Sequence, residues 1–382
     1  MGKRYCFFSA QYLPHMGGVE NYTYNIAQEL IKRGNEVVVV TNNTTNSCQH
    51  EYMGQIEVLR IPCFNFLNGR FPVMRLNTQF RKIDHYLKQK SFDIVIVNAR
   101  FYLHSIYGAL YAKKKEIPCI CIEHGTSHLS VNNKILDYIG GVYEHMHTAV
   151  LKKICKNYYG VSKACCEWSG HFRIQSKGVL YNAVDLDRIN SLKQNAVRDF
   201  RKENDIDHEA VIVVFTGRLL KEKGIFELIK AVEKYNQSGQ SLYLLIAGDG
   251  PEKSGVEQHK SKYIIPLGRL GFPDIVSLLN QSDIFCLPSV SEGLATSALE
   301  AAACGCYIIT TERGGTKELI ATSDYGTVMK DNSVRNVYQA LVNAVEDKEK
   351  RKKALQLCYE KLESEFTWKH TADRLEKIVN SK

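Results

Sequence analysis

Two glutamates, two cations and a histidine are the residues of this chain best suited to chemistry. Glu292 lies in Ser291-Glu292-Gly293-Leu294-Ala295-Thr296-Ser297, and Glu300 follows eight residues later. The segment reads as a loop after the strand ending Leu287-Pro288 that opens a helix near Ser297. The N–H groups of Leu294, Ala295 and Thr296, beside Gly293, would then point out of a helix N-terminus, as an anion site requires. A nucleotide diphosphate there would put its phosphates on the helix. Glu300, one turn along, could accept from ribose hydroxyls, and Glu292 from hydroxyls of a sugar beyond the phosphate.

Thr216-Gly217-Arg218-Leu219 opens another post-strand loop, which Lys223-Gly224 closes before a helix. Arg can grip a diphosphate bidentately and Lys acts as a point charge. Gly17-Gly18 sits between the first strand and first helix, where glycine lets backbone N–H groups approach a phosphate or sugar. This is not GxGxxG, and Thr41-Asn42 stands where a dinucleotide fold needs an acid, so NAD is disfavoured. Ala247-Gly248-Asp249-Gly250-Pro251 reads as a further post-strand turn. His124, in Glu123-His124-Gly125, ends a strand and could polarise or hydrogen-bond a reacting sugar. His128, His145 and His147 read as ordinary, and His145 and His147 do not share a helix face. Asp185-Leu186-Asp187 has the form of a metal-binding DxD but reads as a helix cap. No metal is expected, because Arg218, Lys223 and a helix dipole can offset a diphosphate.

The elements that must position these residues alternate. In the first half, strands are expected at Tyr5–Ala10, Glu36–Thr41, Asp93–Asn98, Ile117–Ile122, Tyr158–Val161 and Gly178–Leu180, with a helix carrying Val19, Tyr22, Ile26 and Leu30. From Asn182 to about His208 the rhythm gives way to a polar link bearing a helix. A second series follows, with strands at Val211–Thr216, Leu242–Ala247, Tyr263–Leu267, Asp283–Leu287 and Cys306–Thr311. Trp368 to Val379 is a last amphipathic helix. Strands alternating with helices argue for parallel, doubly wound sheets, whose ligands bind beyond the strand C-termini.

Composition narrows the class. The 382 residues are 44% hydrophobic and 24% charged, which excludes disordered and fibrous chains. No apolar run reaches the roughly 20 residues of a membrane span, and the N-terminal run is too short for a secretory leader. Twelve cysteines are scattered, several in apolar strands and none as CxxC, which points to a reducing cytoplasm rather than disulfides or structural zinc. Residues 1–190 carry 23 Lys+Arg against 14 Asp+Glu, whereas 191–382 carry 27 of each, so the two halves face different partners.

Taken in order, these motifs resemble the GT-B glycosyltransferases, specifically the retaining group 1 (family 4) enzymes of bacterial cell-surface polysaccharide synthesis. The resemblance spans nearly the whole chain. It rests on Gly17-Gly18-Val19-Glu20, Glu123-His124-Gly125, Tyr181-Asn182-Ala183-Val184-Asp185, Gly217-Arg218-Leu219 with Lys223-Gly224, Ala247-Gly248-Asp249-Gly250-Pro251, Glu292 and Glu300 as E-x7-E, Ala303-Cys304-Gly305, and Gly314-Gly315 before Glu318.

It implies two facing Rossmann-like domains with a cleft between them: residues 1–187 for the acceptor, 188–364 for the nucleotide sugar, and a helix over 365–382 crossing back to the first. It implies Arg218 and Lys223 on the diphosphate, Glu300 on the ribose, Glu292 on the donor sugar, Gly17 and Gly18 near the phosphate and His124 near the reacting centre. Ala295 and Ala183 stand where the family often has proline or glycine, which leaves the donor pocket's shape less defined. The co-substrate would be a nucleotide sugar, UDP-linked by first expectation, and the acceptor a hydroxyl of a glycan or lipid-linked oligosaccharide. The sugar would be a hexose or N-acetylhexosamine.

Residues 63–90 interleave Phe64, Phe66, Leu67, Phe71, Val73 and Met74 with Arg70, Arg75, Arg81 and Lys82. Apolar and basic signals together suggest peripheral attachment to an anionic membrane. The same basic charge lacks any nucleic-acid-binding module, so nucleic acid is not expected. The alternatives are a sugar-nucleotide epimerase of the same architecture and a non-catalytic glycan-binding subunit. The latter would tend to lose one of Arg218, Lys223, Glu292 or Glu300, and all four are present.

Overall fold

The computed structural model describes residues 2–15, 17–66, 69, 71–129, 133–195 and 198–381. Leu67 and Arg70, named above for the membrane, lie outside the described residues. The chain divides into two compact units, Met1–Asn182 with Trp368–Lys382, and Ala183–Thr367.

The first unit runs β1 (Arg4–Ser9), α1 (Gly18–Lys32), β2 (Glu36–Asn42), β3 (His50–Met53), β4 (Ile56–Ile61), β5 (Cys63–Phe66), β6 (Phe71–Met74), α2 (Thr78–Gln89), β7 (Ile94–Asn98), α3 (Leu103–Lys114), β8 (Cys119–Glu123), α4 (Lys134–Ile154), β9 (Asn157–Gly160) and α5 (Lys163–Gly170). Its seven-stranded sheet has the order β3-β4-β2-β1-β7-β8-β9. Every pairing is parallel except β3 with β4. Continuous apolar strands such as β7 (IVIVN) are buried along their whole length, as a sheet covered on both faces demands. Each large apolar side chain so buried contributes about 1.5–3 kcal/mol.

The second unit runs α6 (Leu186–Gln194), α7 (Phe200–Glu203), β10 (Val211–Thr216), α8 (Ile225–Asn236), β11 (Leu242–Ala247), α9 (Lys253–Glu257), β12 (Ile264–Gly268), α10 (Phe272–Asn280), β13 (Ile284–Leu287), α11 (Thr296–Cys304), β14 (Tyr307–Thr311), α12 (Thr316–Leu319), β15 (Thr327–Met329), α13 (Val334–Glu346) and α14 (Lys348–Glu365). Its six-stranded sheet, β12-β11-β10-β13-β14-β15, is parallel throughout. The last helix, α15 (Trp368–Asn380), packs on α1 of the first unit. Arg33 at the end of α1 holds Asp373 at 2.6 Å and Glu376 at 2.8 Å, and Trp368 meets Tyr22 edge to face.

Several sequence expectations differ from this fold. Gly178–Leu180 forms only an isolated bridge between Val179 and Gly160, not a strand. The strands β3, β4, β5, β6 and β15 are not among those expected; in β4, Glu57 and Arg60 give the look of a surface segment. Both are buried with partners: Glu57 takes Lys90 at 2.6 Å, and Arg60 takes Glu51 and the Leu13 carbonyl, each at 2.6 Å. The stretch after Asn182 carries two helices, and α6 packs on α10 and α11. Asp185 caps α6, accepting from the Arg188 N–H at 3.0 Å, as its capping reading required.

Candidate active site

In each sheet the strand order reverses beside the first strand, and loops diverging there leave room for a ligand. In the second unit the reversal lies between β10 and β13. The loop after β10 carries Arg218 and Lys223, and the loop after β13 carries Glu292. The two are stitched together by main chain: the Val290 N–H donates to the Glu222 carbonyl at 2.8 Å, and the Ser289 hydroxyl to the same oxygen at 3.2 Å. Gly224 makes this possible. Its φ is +70°, and a Cβ there would lie 2.1 Å from the Pro288 carbonyl oxygen.

Lys223 and Glu292, read from sequence as ligands for different parts of a donor, touch each other. Lys223 Nζ donates to Glu292 Oε1 at 2.6 Å, with side chains 23% and 10% exposed. Arg218 is exposed and makes no hydrogen bond or ion pair among the described residues. Sequence reading did not assign Gly314 and Gly315 a role, yet they brace the Glu292 loop from below. The Gly315 N–H donates to the Gly293 carbonyl at 2.6 Å, and a Cβ on Gly314, at φ +56°, would sit 2.1 Å from the Glu292 carbonyl oxygen.

From Gly293 the chain passes buried Leu294 and enters α11 through Ala295, the N-cap. Alanine has no side-chain acceptor with which to cap the helix. A helix N-terminus beside paired ionic side chains suits an anion. Glu300 stands four residues into α11, partly exposed, yet crowded enough by protein that desolvation pushes its carboxyl up to about 7. The site therefore holds one cation neutralised in place, one cation free to meet an anion, and one carboxyl whose charge is costly until hydroxyls solvate it.

In the first unit the reversal lies between β1 and β7. Gly17 is the N-cap of α1 and Gly18 its first residue; a Cβ at Gly18 would meet nothing within 4 Å, whereas one at Gly17 would lie 2.3 Å from Glu20 Oε2, so the buried Glu20 carboxylate already sits at this helix end. His124 follows β8. Its Nε2 lies 3.0 Å from Asn98 Oδ1, Asn98 Nδ2 donates to Thr23 Oγ1 at 2.8 Å, and Thr23 Oγ1 donates to the Val19 carbonyl at 2.7 Å.

A carbonyl only accepts, so the single Thr23 proton is committed to Val19. Thr23 must then accept from the Asn98 amide, Asn98 must present its oxygen, and Nε2 must carry the imidazole proton. Burial drops the His124 pKa to about 3, so the ring is neutral and Nδ1 is left as an acceptor. His124 can thus receive a hydrogen bond from a hydroxyl and is unsuited to donate one. Asn98 and Thr23 escaped the sequence reading; the signal for Asn98 was a polar residue closing the apolar strand DIVIVN.

Residues 16–188 match Glycosyltransferase Family 4, and residues 196–356 match Glycosyl transferases group 1. The chain is 23% identical to an uncharacterized glycosyltransferase of Methanocaldococcus jannaschii, covering 97% of this chain and 96% of that one. It is 24% identical to one component chain of the Homo sapiens phosphatidylinositol N-acetylglucosaminyltransferase, covering 98% of this chain and 75% of that one. In structure it resembles the Anabaena protein HepE, solved with UDP and glucose, with a TM-score of 0.75 at 15% identity over the full length of both chains. The chain is a glycosyltransferase with the GT-B fold, made of a family 4 domain followed by a group 1 domain.

Proposed function

We propose that this protein is a retaining glycosyltransferase that moves a hexosyl or N-acetylhexosaminyl group from a UDP-sugar to a hydroxyl of a glycan or lipid-linked acceptor in surface polysaccharide synthesis. The observation that carries the proposal is the Lys223–Glu292 pair beside the N-terminus of α11, with Arg218 and Glu300 on the same unit. The UDP and glucose of the HepE structure favour this donor class. Acceptors built on a lipid, as the name of the human relative implies, favour the lipid-linked class.

On binding, Arg218 and Lys223 take the diphosphate together with the N–H groups of Gly293, Leu294, Ala295 and Thr296. Glu292, released from Lys223, receives donor-sugar hydroxyls, and Glu300 receives the ribose hydroxyls. Residues 1–187 serve the acceptor and residues 188–364 the donor. The first unit contributes Gly17 and Gly18 for the phosphate and His124 for a sugar hydroxyl, through Nδ1. In a front-face reaction the acceptor oxygen bonds the anomeric carbon as the bond to the diphosphate breaks, and the acceptor proton passes to the leaving phosphate oxygen. Catalysis is then positioning plus stabilisation of the leaving charge, and needs no metal.

Membrane attachment through residues 63–90 is part of this reading. Among them, β5 and β6 pair antiparallel and Thr78–Gln89 forms α2, and Phe64 and Phe66 are more than half exposed, with Arg75 lying 4.8 Å over the Phe64 ring. Phe71 of β6 packs edge-on against Tyr143 of α4. On α4, Ile135, Tyr138, Ile139, Val142 and Met146 are exposed at helical spacing, which extends the apolar surface. No helix among the described residues is long and apolar enough to cross a membrane, so attachment would be peripheral.

A thermal-shift series with UDP-, GDP- and ADP-sugars tests the donor, because a bound ligand raises the melting temperature by mass action. Stabilisation by a UDP-sugar, followed by transfer with retained anomeric configuration, is the expected result. Conversion of the donor to its epimer without an acceptor would displace the proposal in favour of an epimerase.

A further inference from the structure

Three histidines from separate elements of the first unit meet on its surface: His128 in the loop after β8, His145 on α4, and His171 at the end of α5. One ligand nitrogen of each lies within 4.8 Å of the others. His128 Nε2 is 3.2 Å from His171 Nε2, and His145 Nε2 is 3.1 Å from His171 Nε2. A tetrahedral zinc, with Zn–N bonds of about 2.0–2.1 Å, sets its nitrogens about 3.3 Å apart. The sequence pattern sets His145 only against His147. The structure separates them, burying His147 beside Tyr143 and turning His145 toward His128 and His171.

We propose that His128, His145 and His171 bind a divalent transition metal ion, zinc foremost, through their Nε2 atoms. Three features beyond proximity favour this. The buried His128 Nδ1 makes no aligned hydrogen bond and lies 3.1 Å from Glu144 Oε2. A carboxylate there draws the proton to Nδ1 and leaves the Nε2 lone pair for a metal, the arrangement in which an outer carboxylate orients a ligating histidine. Glu144 is itself fixed by the Arg100 guanidinium at 2.9 Å and the Leu129 N–H at 2.8 Å.

The rings are also held by packing. Trp168 stacks on His171 with centroids 4.8 Å apart, and Phe172 lies 4.7 Å from His145. Finally, His171 Nε2 stands between the other two and has a single proton or a single lone pair, so it can complete a linear hydrogen bond with only one of them. A cation satisfies all three at once. Three histidine ligands with His145 and His171 exposed leave a fourth position for water or an external ligand. The ion would tie the strand-end loop that carries His124 to α4 and α5.

Untagged full-length protein, stripped with a chelator, is titrated with Zn2+ against a colorimetric indicator, and separately with Co2+. One equivalent of Zn2+ is expected, together with a Co2+ spectrum showing visible tetrahedral bands and no thiolate charge-transfer band. A melting temperature that rises with Zn2+ is expected as well. His145→Ala and His171→Ala, both at exposed positions, are expected to melt like wild type without metal and to lose the equivalent of Zn2+. The proposal is overturned if wild-type protein binds no Zn2+, if both variants bind as wild type does, or if the Co2+ spectrum shows cysteine ligation.

Discussion

Lys223 and Glu292 lie 69 residues apart in sequence and 2.6 Å apart in space, joining the two loops that flank the strand reversal of the second unit. A partly exposed ion pair of this kind adds only about 0–1 kcal/mol to stability. In the proposed function its value lies in holding opposite charges ready for exchange: an arriving diphosphate would take the lysine, and the freed carboxylate would meet sugar hydroxyls.

Lys223→Ala and Glu292→Ala are therefore expected to melt close to wild type while transfer falls by about 100-fold or more, the scale of losing one pre-set electrostatic contact to a leaving group. Steady-state assays beside calorimetric melting make the comparison. Unimpaired transfer by both variants would remove the site assignment.

Glu300 supplies a pH dependence. Its carboxyl, pushed up to about 7 by desolvation, favours the protonated form in the folded chain. Its contribution to stability is complete below the ordinary glutamate range and is lost as pH rises through about 7. Glu300→Gln should then raise the melting temperature at about pH 8 and have little effect at about pH 5. Nucleotide binding runs the other way. Ribose hydroxyls need the ionised acceptor, so affinity should fall by up to about tenfold per unit as pH drops below 7, and Glu300→Gln should flatten that slope. Isothermal titration with UDP across pH reads both; an unchanged slope in the variant would disconnect Glu300 from the ribose.

The parts legible in the sequence were those whose chemistry is local. Apolar β-branched runs announced β2, β7 and β10, and glycines at strand ends marked the loops beside Arg218 and Glu292. What stayed hidden depended on partners distant in the chain. β4 hid because Glu57 finds Lys90, 33 residues on, and Arg60 finds Leu13, 47 residues back. The Lys223–Glu292 contact hid because each residue had a plausible role alone. Asn98 and Thr23 hid because a neutral side chain displays its function only through the direction of its hydrogen bonds.

Gly224 tests how firmly the two site loops are tied. Its left-handed φ of +70° and the 2.1 Å approach of a Cβ to the Pro288 carbonyl leave no room for a side chain. Gly224→Ala must either strain this turn or part the loops, at a cost of roughly 2 kcal/mol or more. Urea unfolding measures the loss, and a loss of under about 0.5 kcal/mol, the scale of an ordinary surface change, would show the turn to be slack.

The membrane face is tested by charge and apolarity separately. Flotation with vesicles containing anionic lipid is expected to capture wild-type protein and to weaken with salt. Ile139→Ser with Met146→Ser, both exposed on α4, should reduce capture without changing turnover on a water-soluble acceptor. Capture that ignores both salt and these substitutions would place any membrane contact elsewhere.

The last prediction concerns the direction of the His124 relay. Thr23→Val deletes the hydroxyl that accepts from the Asn98 amide, and leaves that buried amide unsatisfied at a cost of about 1–3 kcal/mol. Freed from Thr23, Asn98 can turn its amide nitrogen toward His124, which then presents a donor at Nδ1 where an acceptor stood. If His124 accepts a hydrogen bond from a sugar hydroxyl during transfer, kcat falls by about tenfold or more while the donor dissociation constant stays within about twofold, because the interaction is made at the reacting sugar and not at the phosphates. Nitrogen chemical shifts of the ring report the tautomer directly: protonated Nε2 in wild type, protonated Nδ1 in the variant. A changed tautomer with unchanged kcat would separate His124 from the reaction, and an unchanged tautomer would show that Thr23 does not set it.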